Sequence, residues 1–71
     1  MDRQTILKHL ALAERHIAEG QERLFRQQEL ITELDRDGHD TKGARMVLAT
    51  MRDTQALHIQ GRQRILRELD Q

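Results

Sequence analysis

Residues 6–34 read ILKHLALAERHIAEGQERLFRQQELITEL. Within them Ile6, Leu10, Ala13, Ile17, Gly20, Leu24, Gln27, Ile31 and Leu34 recur at alternating steps of four and three residues, without a slip. That rhythm returns to one face of a slightly underwound helix and describes a seam that packs along a second helix. It predicts a single helix from about residue 3 to residue 36, opened by Asp2 as N-cap. Gly20 costs ~1 kcal/mol relative to alanine inside a helix. It does not end this one, because the phase continues unchanged beyond it. The i,i+4 pairs Glu19–Arg23 and Glu22–Arg26 bridge the weak point.

The chain supplies the partner helix itself. Residues 37–41, Asp-Gly-His-Asp-Thr, are the clearest punctuation. Gly38 suits the left-handed position that ends a helix, and Asp40 or Thr41 suits the cap that starts the next. Only His39 has no structural reason there. A second helix follows from about residue 42 to residue 68, with the stripe Ala44, Val47 or Leu48, Met51, Gln55, His58, Arg62, Ile65 and Leu69. So short a connection makes the helices antiparallel neighbours. The fold class is therefore all-α: one domain over residues 1–71, an antiparallel, coiled-coil-like two-helix hairpin. Folding symmetrically about residue 39 sets Gln27 against Met51, Gly20 against His58, and Ile17 against Gly61 or Arg62.

Composition agrees. Of 71 residues 37% are hydrophobic and 34% charged, with one aromatic residue, Phe25, and no proline or cysteine. Leu, Glu, Gln, Arg and Ala dominate, which favours helix over strand. Twelve basic residues balance twelve acidic ones, so no electrostatic footprint for nucleic acid exists. Residues 1–38 carry six basic and eight acidic residues, and residues 39–71 six and four; antiparallel pairing brings the opposite surpluses together. No apolar run approaches a membrane span. Absence of cysteine removes disulfides and thiolate chemistry. The expectation is a cytoplasmic protein without cofactor, nucleic-acid or membrane partner.

Two features bear on function. The seam turns polar in the middle, where His16, Gly20, Gln27, Gln55, His58 and Arg62 form a candidate layer. Such layers fix register in coiled coils, and that is the preferred reading; a His-centred metal or small-ligand site is the alternative. His9 and His16 lie ~10 Å apart along one face, too far to share an ion. The second feature is a surplus of apolar residues: Leu7, Ala11, Ala18, Phe25, Ile59 and Leu66 lie off the seam. A hairpin this small has little core, so these form the candidate interface of a homodimer, a four-helix bundle.

No serine or cysteine nucleophile is present, the threonines read as caps and surface residues, and no phosphate-cradling loop occurs. The protein is therefore expected to be no enzyme, but a small structural or protein-interaction module that self-associates through heptad seams and docks on a further protein. The runs Ala13 to Gly20 (AERHIAEG) and Leu34 to Thr41 (LDRDGHDT), with Arg26-Gln27, His58 and Arg62, resemble a group of short bacterial helical proteins. The resemblance implies a small helical protein and brings no activity. Small hairpin phosphatases of sporulation signalling share the size, but their Ser-Gln-Glu-Leu-Asp signature is missing.

Overall fold

The computed structural model describes residues 2–71. Two helices make up the molecule: α1, Arg3–Arg36, and α2, Lys42–Leu69, packed against each other as an antiparallel hairpin. The rod measures 54 × 14 × 13 Å and has a radius of gyration of 16.3 Å. A compact domain of this length has about 11 Å. The difference is the cost of building from one helix pair: there is no second layer to fold a core into.

Local chemistry starts and stops each helix. The Asp2 carboxylate accepts the Thr5 backbone N–H at 2.8 Å, satisfying one of the free donors of the first turn. That bond holds the Asp2 carboxyl below its ordinary pKa. At the other end, Gly38 takes a φ of +78°. The chain can then fold back so that the His39 N–H donates to the Leu34 carbonyl at 2.8 Å and the Gly38 N–H to that of Asp35 at 3.2 Å. These two bonds are the Schellman pattern. His39 thus closes the helix through its backbone. Between Asp40 and Thr41 the labour divides. The Asp40 carboxylate accepts the Lys42 N–H at 3.0 Å, whereas the Thr41 hydroxyl accepts from Arg45 Nε at 2.9 Å.

The seam of α1 lies inward along its whole length, since all nine of its residues are buried or half-buried. On α2 the inward positions are Ala44, Leu48, Met51, Gln55, His58, Arg62, Ile65 and Leu69; Leu48, not Val47, takes the second place. Among the described residues full burial is confined to Ile31, Leu48 and Gln55. On the surface, Glu19 reaches Arg15 at 3.3 Å and Arg23 at 3.7 Å, and Glu22 holds Arg26 at 2.6 Å. Exposed pairs of this kind contribute ~0.3–0.5 kcal/mol each. Here they reinforce the helix on both sides of Gly20.

The register differs from a fold symmetric about residue 39. Gly20 meets Gln55 rather than His58, and Gln27 reaches back to the Ala44 carbonyl rather than standing against Met51. Non-helical residues advance by up to ~3.3 Å each, against ~1.5 Å in a helix. A few of them running back beside α1 start α2 lower by about a turn.

Candidate functional site

The polar middle is built on two glutamines. Gln27 of α1 donates from Nε2 to the Ala44 carbonyl of α2 at 2.9 Å. Gln55 of α2 donates from Nε2 to the Ile17 carbonyl of α1 at 2.8 Å. Each side chain crosses the seam and joins the opposite backbone, so the helices are stapled in both directions. Buried amides of this kind hold register, because sliding one helix leaves polar groups unpaired in an apolar seam.

Gln55 fits because Gly20 has no side chain. A Cβ on Gly20 would overlap Gln55 Oε1 and lie 2.9 Å from its Cδ. Gln55 is 5% exposed, and its Oε1 has no hydrogen-bond partner. Gly61, set against Ile17 by symmetry, has nothing within 4 Å of a built Cβ. A side chain there would enter open space.

His16 and His58 do meet, their ring centroids 5.5 Å apart and tilted by 35°. His16 is exposed and His58 half-buried. His58 Nδ1 and Arg62 Nε are buried without partners, and among the described residues no ion pair reaches Arg62. The six residues read from the sequence as one layer therefore separate. Gln27 binds α2 near the turn. Gly20, Gln55, His16 and His58 cluster at mid-hairpin, and Arg62 lies one turn beyond His58. Among the described residues no three His, Cys, Asp or Glu side chains group to hold a metal.

A groove of about 470 Å³ opens beside this cluster, between Gly20 and Arg23 of α1 and Val47, Met51, Gln55 and His58 of α2. Its volume falls in the range of ligand and side-chain pockets. Sequence periodicity missed it, since Val47, Thr50 and Thr54 lie beside the seam and not in it. The usable signal was their lack of charge. The interface candidates Leu7, Ala11, Ala18, Phe25, Ile59 and Leu66 are all exposed. No described helix is long and apolar enough to cross a membrane. Compared with protein-family models, with curated proteins and with solved structures, the chain matches none.

Proposed function

We propose that this hairpin is a self-associating interaction module of the cytoplasm: two copies pack as a four-helix bundle that offers its remaining surface to another protein. One observation carries the reading. Ile31 and Leu48 are the buried apolar side chains of the described chain, while nine large ones, from Leu7 to Leu66, stay exposed. Phe25 is 65% exposed. Helical proteins of this size ordinarily need a staple or a partner to be stable, and a cysteine-free chain has no disulfide. The face of Leu7, Ala11, Ala18, Phe25, Ile59 and Leu66 is the surface on which the copies pack. Covering one such large side chain contributes ~1.5–3 kcal/mol.

Sedimentation equilibrium across nanomolar to micromolar concentration tests this. The expected result is a dimer or larger species that Phe25→Glu weakens. A fully helical monomer at all concentrations removes the proposal.

A second reading, a His-centred ligand site, draws on the unpartnered His58 Nδ1 close to His16. Titration of tag-free protein with zinc checks it: a rise in melting temperature that His58→Gln abolishes supports it, and an unchanged melt removes it.

A further inference from the structure

We infer that a second self-contact runs along the other side of α2, where two copies meet antiparallel through a stripe symmetric about position 52. The inference rests on the self-association reading and adds a surface to it. Gly43, Val47, Thr50, Thr54, Leu57 and Gly61 follow at alternating steps of four and three, so they form one line along the helix. None is charged. The line covers about 27 Å. Leu57 points ~200° around α2 from Ile59, which separates this stripe from the Ile59–Leu66 side.

The stripe is its own complement. Gly43 and Gly61 each lie nine residues from position 52, Val47 and Leu57 five, Thr50 and Thr54 two. A two-fold contact places residue i on j and j on i. Laid antiparallel on its copy, the stripe sets glycine on glycine, valine on leucine and threonine on threonine.

The glycines have no role inside the hairpin. Neither takes a positive φ, and a Cβ on either meets nothing within 4 Å. Gly61 weakens the helix interior, and neither glycine brings a return until another backbone comes close at both ends of the line. Knob and hollow also match. Leu57 is 65% exposed, and Val47, its symmetry mate, lines the groove together with Thr50, Met51 and Thr54. The partner's Leu57 enters that groove beside the buried Gln55, and Leu57 of this hairpin enters the partner's. Charge continues the fit. Arg64, next on the same line, comes over the start of the partner's α2, where the Asp40 carboxylate holds the Lys42 N–H, and this pairing occurs twice. Arg52, at the centre by number, points ~180° around α2 from the stripe, and Asp53 lies on its exposed outer edge.

The cysteine-free chain allows a direct test. Thr50→Cys and Thr54→Cys proteins are oxidised alone and mixed. The expected result is cross-linking of the mixture about tenfold faster than of either alone, because position 50 faces position 54 of the partner; parallel packing or random collision gives no such preference and overturns the inference. Sedimentation supplies the second arm. Leu57→Glu, on an exposed position that leaves the hairpin intact, is expected to weaken self-association about tenfold or more. If Phe25→Glu weakens it and Leu57→Glu does not, self-association survives and this contact falls. If Leu57→Glu alone weakens it, this contact stands and the Phe25 face falls. A monomeric wild type brings down both.

Discussion

Gln55 lies on the bare backbone of Gly20, and any side chain at position 20 would displace its amide oxygen. The two residues form one unit: the glycine makes the notch, and the glutamine fills it while donating to the Ile17 carbonyl. Their energies should be coupled. Gly20→Ala gains ~1 kcal/mol of helix propensity but drives a buried amide off its acceptor, a loss of ~1–3 kcal/mol. In the wild type the substitution is expected to destabilise by about 1 kcal/mol. In a Gln55→Ala background, with the notch empty, it should stabilise by about the same amount. Urea denaturation of the four proteins at fixed concentration reads the cycle; equal effects in both backgrounds would show that the fit carries no energy.

Gly38 makes the turn. Its φ of +78° is open to glycine and strained for a residue with Cβ, at ~1–2 kcal/mol. Nothing lies within 4 Å of a built Cβ, so the cost of Gly38→Ala is conformational and not steric. A loss of about 1 kcal/mol is expected, with Gly38→Asn intermediate, since asparagine tolerates the left-handed region better. A Gly38→Ala protein as stable as the wild type would contradict the Schellman turn.

Stability should be graded along the rod. Ile31, at 1% exposure the most buried side chain, lies close to the turn, as does Leu48 at 6%. Ile6, Leu10, Ile65 and Leu69 at the open end are only half-buried. Ile31→Ala is expected to cost ~2–4 kcal/mol, and Ile65→Ala clearly less. Amide hydrogen exchange should be slowest around Ile31 and Leu48 and fastest in the first turns of α1 and the last of α2. Uniform protection would show that the ends are covered as well as the middle.

The Asp2 cap sets an acid limit for the start of α1. The bond from the Thr5 N–H favours the charged carboxylate and lowers its folded pKa. The unfolded chain therefore takes the proton more readily. The contribution of the cap is whole above the unfolded carboxylate value near ~3.9 and fades as pH falls through the lowered folded value. Fraying of the first turns in acid, followed by NMR amide shifts at Thr5 and Ile6, is the expected outcome. Asp2→Asn should remove that pH dependence while keeping a neutral cap. If the variant frays over the same acid range, another group is responsible.

The sequence by itself determined the hairpin. Period and punctuation are local properties: steps of four and three place Ile6 through Leu34 on one face, and Asp37 to Thr41 carry the residues that stop one helix and start another. The i,i+4 pairs at Glu19 and Glu22 were legible for the same reason. Which residues meet across the seam was decided only in three dimensions. The path of residues 37–41 shifts α2 by about a turn, so Gln55, not His58, lies on Gly20, and the six polar residues part into a staple near the turn and a cluster at mid-hairpin. The amide of Gln55 bends onto the Ile17 carbonyl, a contact made possible only by this offset. The groove beside Val47 is likewise a product of two helices together, since no periodicity within one helix describes the space between it and another.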